Sequence, residues 1–159
     1  MTRTRPLTLV LLAVFGATVL WFVEVALAVA GRPVIIPPYT LGIALLLIGV
    51  IIVAMAWPVW RVSRRVPGAH VDPFYATRVV VLAKASSLGG ALLGGGGLGV
   101  VAYLLTRSVV PGVGSIAMAV SAAAGAILLL VAGLVAEHWC TIPPDDDEHP
   151  GTPEPQGHA

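Results

Sequence analysis

The sequence predicts an all-α polytopic membrane protein, with four transmembrane helices in an antiparallel bundle and a disordered acidic C-terminal tail. Of its 159 residues, 57% are hydrophobic and only 11% are charged, and the mean hydropathy is +0.93. Roughly a quarter of the residues of a soluble domain are charged, so this composition excludes a conventional water-soluble domain. Four separate apolar stretches are each long enough to cross about 30 Å of hydrocarbon as a helix. Helices are predicted because hydrocarbon offers no partner to unpaired backbone groups and because no alternating barrel pattern occurs.

The four predicted helices cover about residues 7–30, 41–60, 79–105 and 115–139. Prolines and glycines follow the first, third and fourth helices, and an arginine-rich stretch follows the second. Proline ends helices because it lacks a backbone donor and disfavours helix in the residue before it. Asp72 and Pro73 precede the third apolar run and suit the N-cap and the first turn of a helix. Residues 1–142 are predicted as one transmembrane domain.

The first apolar run has a second interpretation as a secretory signal. Arg3 and Arg5 precede it, and the small residues at 28–30 resemble a cleavage site. Signal cores are about 7 to 15 residues long, whereas this run continues from residue 7 to residue 30. Its length favours a retained transmembrane helix.

Arginines near the helix ends predict the orientation, since cationic loops are retained in the cytoplasm. Arg3 and Arg5 lie before the first helix, and Arg32 and Arg107 lie on the opposite side. The connection between the second and third helices adds Arg61, Arg64, Arg65 and Arg78. Both termini are therefore predicted to be cytoplasmic.

Arg61, Arg64 and Arg65 form a basic cluster directly after the second apolar run. Such a cluster can bind anionic lipid headgroups, or it can serve only to fix the orientation, which is the commoner role. The formal net charge of the whole chain is +1, so general electrostatics gives no case for nucleic acid. The lipid bilayer is the predicted partner.

The C-terminal segment, residues 143–159, is rich in proline, glycine and polar residues and contains an acidic run at 145–148. It can bury too little apolar surface to offset its chain entropy, so it is predicted to be disordered. The acidic run with His149 lacks the spaced ligands of a calcium loop, and His138 with Cys140 supplies too few ligands for zinc. No metal and no cofactor is predicted.

Ionisable groups lie within or at the ends of the predicted helices: Glu24, Lys84 and the pair Glu137-His138. These groups are costly in hydrocarbon and usually face protein or water. Glu24 is expected towards the outer face, where Arg32 or Arg107 could neutralise it.

Lys84 shares a helical stripe with Ser87 and other small residues, so it is expected to point towards another helix. The topology places Lys84 and Glu137 at similar depth. Three interpretations are open: an ion pair that fixes two antiparallel helices, snorkelling of both side chains to the headgroups, or a proton relay or substrate contact.

The third helix is rich in glycine and contains the pairs Gly90 with Gly94 and Gly95 with Gly99. This spacing predicts close backbone contact with another helix, either the fourth helix or a second copy of the protein. The glycine run at 94–97 could instead form a flexible kink. It is not a phosphate loop, because no Gly-Lys-Ser/Thr follows it.

Several motifs resemble those of the DUF3180 family. They are RTRPLT at residues 3–8, VDPFYA at 71–76, LAKASS at 82–87, and GLVAEHWC at 133–140 before PPDD at 143–146. The resemblance implies a small actinobacterial protein of the cell membrane, of uncharacterised function, whose gene often lies beside folate-biosynthesis genes. It also implies that Lys84 and Glu137 belong to recurring motifs, and it supplies no catalytic residues.

The sequence shows no nucleophile with an orienting base, no cofactor motif and no pair of catalytic carboxylates, so an enzyme is not predicted. The leading hypothesis is a non-enzymatic helical interaction or accessory protein. It would pack with itself or with a larger membrane protein through the glycine-rich third helix. The alternative is an oligomeric small-solute transporter or transporter subunit, linked to folate or pterin metabolism.

Overall fold

A computed structural model gives the structure of the chain and describes residues 5–64, 71–106 and 112–140. It contains four helices: α1 Pro6–Val29, α2 Tyr39–Ser63, α3 Pro73–Leu105 and α4 Val113–Trp139. Each is long and apolar enough to cross a membrane, and these three ranges contain no strand. The predicted all-α architecture with four long apolar helices is confirmed. The tail at residues 143–159 lies outside the described residues.

Two helices extend further than their apolar runs indicated. α3 begins at Pro73, where Asp72 and Pro73 predicted its cap and first turn, and not at residue 79, where its apolar run begins. The Asp72 carboxylate caps the helix by accepting a 2.9 Å hydrogen bond from the backbone nitrogen of Phe74. A carboxylate at this position satisfies an otherwise unpaired backbone donor and interacts favourably with the helix dipole. α2 continues past Trp60 to Ser63. Hydrocarbon limits the length of an apolar run, but a helix can continue into the polar region beyond it.

The helices lie side by side in the order α1, α3, α4, α2. We call this arrangement the open row, because α1 contacts only α3 among the described residues. Contacts join α1 to α3, α3 to α4 and α4 to α2, and a smaller contact joins α2 to α3. Within the described residues, α1 contacts neither α2 nor α4. The alternating helix directions of the predicted antiparallel bundle are present, but the successive helices α1 and α2 are not packed together within the described residues. The glycines that allow close helix approach are concentrated on α3, which takes the place between α1 and α4.

Paired residues along each contact give the helix directions. Along α1 and α3 the pairs are Ala13 with Gly95, Ala17 with Gly99, and Trp21 with Tyr103. Along α3 and α4 they are Ser87 with Gly133, Gly90 with Leu130, and Gly97 with Ala123. Along α2 and α4 they are Gly42 with Ser121, Gly49 with Ala132, and Trp57 with Trp139. Thus α1 runs parallel to α3, α2 runs parallel to α4, and the two sets are antiparallel.

These directions place the start of α1 and the end of α4 at the same end of the molecule. We call it the tryptophan end, because Trp57, Trp60 and Trp139 lie there. We call the opposite end the Glu24 end.

Each end has its own apolar cluster. The larger, towards the tryptophan end, joins α2, α3 and α4 through Leu45, Ile52, Ala56, Val59, Val79, Ala83, Ala126, Leu129 and Ala136. The smaller, at the Glu24 end, contains Val100, Leu104 and Ala119, with Val34 of the α1–α2 connection packed against it.

Candidate functional site

One row of glycines on α3 receives α1. A Cβ atom added to Gly95 would overlap the carbonyl oxygen of Ala13, and one added to Gly99 would lie 2.5 Å from that of Ala17. Backbone therefore meets backbone at both positions, with no space for a side chain. We call this contact the α1 seam.

A second row of glycines on α3 receives α4. A Cβ atom on Gly90 would lie 2.6 Å from the backbone nitrogen of Leu130, whereas one on Gly94 would make an ordinary 3.5 Å contact with Ile127. We call this contact the α4 seam. The predicted packing glycines thus make contacts within one chain, and α3 continues as a helix through residues 94–97.

Ser87 lies on the α4 seam and is fully buried. Its hydroxyl donates a 2.9 Å hydrogen bond to the carbonyl oxygen of Lys84 on its own helix. A Cβ atom on Gly133 of α4 would lie 2.7 Å from the backbone nitrogen of Ser87. Ser87 therefore acts here as a small residue whose polar group is already satisfied.

The same seam brings Lys84 and Glu137 to one level. Successive contacts pair Leu130 with Gly90 and Gly133 with Ser87, so the next turn of the antiparallel helices places Glu137 level with Lys84. Lys84 is half-buried, and only 9% of Glu137 is exposed. Glu137 lies in the last turn of α4, close to Trp139, so this level is near one end of the helices and not halfway along them. The neighbouring His138 is exposed.

Glu24 occupies the opposite end and is 1% exposed. One oxygen of its carboxylate, Oε1, accepts a 3.2 Å hydrogen bond from the backbone nitrogen of Ile35 in the α1–α2 connection. A buried carboxylate requires such donors because its desolvation is costly. Of the two arginines predicted to neutralise it, Arg32 is exposed in the same connection and Arg107 lies outside the described residues. The hydrogen bond between Ile35 and Glu24 therefore joins the α1–α2 connection to α1.

Aromatic residues also lie at this end of the molecule and contact one another or the backbone. Trp21, one turn before Glu24, makes an edge contact with Tyr103 of α3 at a ring-centroid distance of 5.7 Å. The hydroxyl of Tyr39 donates a 3.5 Å hydrogen bond to the carbonyl oxygen of Gly114. Trp21 and Glu24 are three residues apart and therefore share one face of α1. The sequence alone does not show which helix that face contacts.

The tryptophan end combines aromatic and cationic side chains. The ring centroids of Trp57 and Trp60 are 5.2 Å apart, and each lies 5.8 Å from that of Trp139. The guanidinium carbon of Arg64 lies 5.5 Å from the centre of the Trp60 ring. Arg61 is exposed in the last turn of α2. Arg65, the third member of the predicted basic cluster, lies outside the described residues.

Within residues 5–64, 71–106 and 112–140, no group of three or more His, Cys, Asp or Glu side chains is placed to hold a metal ion. Cys140 is half-buried at the C-terminal cap of α4. Burial raises the pKa of its thiol above the ordinary value because desolvation disfavours the thiolate.

Comparison with known protein families identifies the family of this chain. A family model described as protein of unknown function (DUF3180) matches residues 9–144, a range that includes most of α1 and all of the other three helices. The chain belongs to the DUF3180 family. No match was found among curated proteins or among solved structures.

The DUF3180 match spans both polar ends of the row, including Glu24, Lys84 and Glu137. The family description assigns no function. The roles of these residues therefore have to be argued from their positions in this chain.

Proposed function

We propose that this DUF3180 protein is a non-enzymatic interaction or accessory protein of the cell membrane, which associates sideways with another helical membrane protein. The open row is the observation that supports the proposal. α1 packs only on α3 within the described residues, so most of its surface is free to contact a neighbour.

The free surface of α1 is apolar and carries large side chains. Phe15 is 61% exposed and Phe22 is 65% exposed. By contrast, Gly95 and Gly99 of α3 are already covered by α1, and Gly90 is covered by α4. We therefore place the partner contact on α1 and not on the glycine-rich face of α3.

Photo-crosslinking in native membranes tests this placement. The photoreactive residue p-benzoylphenylalanine is introduced at Phe15, at Phe22 and, as a control, at Leu128, which is exposed on the inner helix α4. A discrete protein adduct from the two α1 positions and none from Leu128 is expected. Lipid adducts alone at all three positions would contradict the proposal.

The second candidate function is an oligomeric small-solute transporter or transporter subunit. The favouring observation is that Glu24 and Glu137 are almost fully buried within helices apolar enough to cross a membrane, where ionisable residues often belong to a transport pathway. The notion of a folate- or pterin-type solute is tested by uptake of radiolabelled folic acid into proteoliposomes. Uptake that falls in Glu24→Gln and Glu137→Gln would favour transport, and uptake equal to that of empty liposomes would exclude this solute.

We also propose that the tryptophan end faces the cytoplasm of a plasma membrane. The support is the excess of arginines at that end, with Arg5, Arg61, Arg64 and Arg78 against Arg32 at the Glu24 end among the described residues. Reporter fusions after residue 140 and after Arg32 test the orientation. Cytoplasmic reporter activity is expected at the first position and exported activity at the second, and the reverse pattern would overturn it.

A further inference from the structure

We propose that Arg61, Arg64 and the cluster of Trp57, Trp60 and Trp139 form a binding site for an anionic phospholipid at the tryptophan end. The arginines would bind the headgroup phosphate, and the tryptophans would contact the glycerol region and the upper acyl chains. This inference is independent of the proposed partner contact on α1, because it concerns the opposite side of the row, where the outer helix α2 packs on α4.

The tryptophan cluster provides the apolar half of the site. Its three rings lie within 5.2 to 5.8 Å of one another and bridge the ends of α2 and α4. Trp57 is 50% exposed, so the cluster has an open side. Indole rings favour the boundary between hydrocarbon and headgroups, because each has a large apolar body and one polar N–H group.

Arg64 provides a cation at a defined position above this cluster. It is the C-terminal cap of α2, and its guanidinium carbon is 5.5 Å from the centre of the Trp60 ring. A guanidinium over an aromatic ring keeps its N–H edge available, and that edge matches two phosphate oxygens. Stacking on Trp60 restricts the side chain before a ligand arrives, which reduces the entropy lost on binding.

Arg61 supplies a second cation on the same face, since residues three apart on a helix are neighbours. Both arginines are exposed. The described carboxylates near this end are Asp72, which caps α3, and Glu137, which is buried.

A headgroup fits this arrangement better than a soluble anion does. A free phosphate would contact only the arginines, whereas a phospholipid also covers the exposed face of Trp57. The cationic and aromatic groups lie at the end of a helix that is apolar enough to cross a membrane. A lipid presents its phosphate and its acyl chains in this same order along the membrane normal.

Tryptophan quenching by brominated lipids tests the site in the full-length protein. The chain has four tryptophans, and Trp21→Phe removes the one at the Glu24 end, so that emission reports only on the cluster. The protein is reconstituted in phosphatidylcholine vesicles that contain a fixed fraction of phosphatidylglycerol, with bromine on the acyl chains of one lipid or the other. The expected result is preferential quenching by brominated phosphatidylglycerol, with selectivity falling about fivefold for each arginine replaced in Arg61→Gln and Arg64→Gln.

Two control variants separate a specific site from general attraction. Arg78→Gln removes the same charge from an exposed position on α3 and is expected to leave selectivity nearly unchanged. Arg64→Lys keeps the charge but loses the planar fork and is expected to retain only part of the selectivity. Circular dichroism in the same vesicles confirms that each variant is helical.

Three results would overturn the proposal. The first is equal quenching by the two brominated lipids in the protein with both arginines intact. The second is a loss in Arg78→Gln as large as that in Arg64→Gln, which would indicate a general charge effect. The third is selectivity abolished by millimolar inorganic phosphate, which would indicate a site for a soluble anion.

Discussion

Gly133 of α4 lies so close to Ser87 of α3 that an added Cβ atom would be 2.7 Å from the Ser87 backbone nitrogen. The contact joins two helices through their backbones, and Ser87 itself is fully buried. It also determines which turns of α3 and α4 are level further along the seam. The position of Glu137 relative to Lys84 follows from this register.

The Gly133 contact predicts that Gly133→Ala is destabilising. The new methyl group would meet backbone atoms, which cannot rotate away, and overpacking of this kind costs about 1–3 kcal/mol. The free energy of unfolding, measured by titration with SDS in mixed micelles, should fall by that amount. Gly89→Ala is the matched control, because a Cβ atom there has no neighbour within 4 Å. It should be neutral or stabilise the helix by up to about 1 kcal/mol, and equal losses in both variants would contradict the register.

The open row predicts that α1 can be joined covalently to α3. A Cβ atom on Gly96 would lie 3.3 Å from Cγ of Leu20, so the sulfur atoms of cysteines at these two positions are expected to come within reach of each other. In a Cys140→Ser background, Leu20→Cys with Gly96→Cys should cross-link on mild oxidation. Leu20→Cys with Ile127→Cys should not, because α1 does not contact α4 among the described residues. Cross-linking of the second pair but not the first would indicate a closed bundle.

The carboxylate of Glu24 predicts local protection of the α1–α2 connection. Its Oε1 atom accepts the hydrogen bond from the Ile35 backbone nitrogen, and a bond to a charged group contributes about 1.5–3 kcal/mol. In Glu24→Ala, hydrogen exchange at the Ile35 amide should therefore accelerate about tenfold or more. Glu24→Gln keeps a carbonyl oxygen and should preserve most of the protection.

Thr18→Ala is the control for this experiment, since Thr18 is exposed and bonds only to its own helix through the carbonyl oxygen of Val14. Ile35 exchange should be unchanged in it. Fast Ile35 exchange in the unmodified protein would show that the connection is not held by Glu24.

Burial of Cys140 predicts a pH profile for its alkylation. Only the thiolate reacts, and burial raises the pKa of this thiol, so a smaller fraction is ionised at pH 8 than in an exposed cysteine. The rate of reaction with iodoacetamide should be low at neutral pH and should keep rising to more alkaline pH than the rate of a reference thiol. The reference is Arg64→Cys in a Cys140→Ser background, because Arg64 is also a helix C-terminal cap but is exposed. Superimposable profiles would contradict the burial of Cys140.

Helix number and type could be predicted from the sequence because apolar length and proline breaks are local properties. The start of α3 could also be inferred, since Asp72 and Pro73 form a recognisable cap. The lateral order of the helices could not, because the glycine pairs on α3 indicate close packing without identifying the partner. Gly95 and Gly99 meet α1, whereas Gly90 meets α4. Similarly, the sequence indicates that burial of Glu24 in hydrocarbon is costly. Its contact with Ile35 could not be predicted, because it depends on how the α1–α2 connection folds back onto α1.

The level placement of Lys84 and Glu137 predicts that their charges are energetically coupled. Opposite charges at one depth on adjacent helices lower each other's cost of burial. Lys84→Glu and Glu137→Lys should each reduce the free energy of unfolding in mixed micelles, and the double exchange should recover much of the loss. The coupling energy in this double-mutant cycle is expected to be about 0.5–3 kcal/mol.

Lys84→Arg is the control, because it keeps the cation, and its free energy of unfolding should be close to that of the unmodified protein. Independent snorkelling of the two side chains to the headgroups would instead give single-variant effects that simply add. Additive losses in the double exchange would therefore exclude the ion pair. Glu137 lies in the last turn of α4 beside Trp139, a position from which a side chain can reach polar headgroups. The double exchange separates pairing from snorkelling because reversing both charges preserves an ion pair but gives independent side chains no mutual compensation.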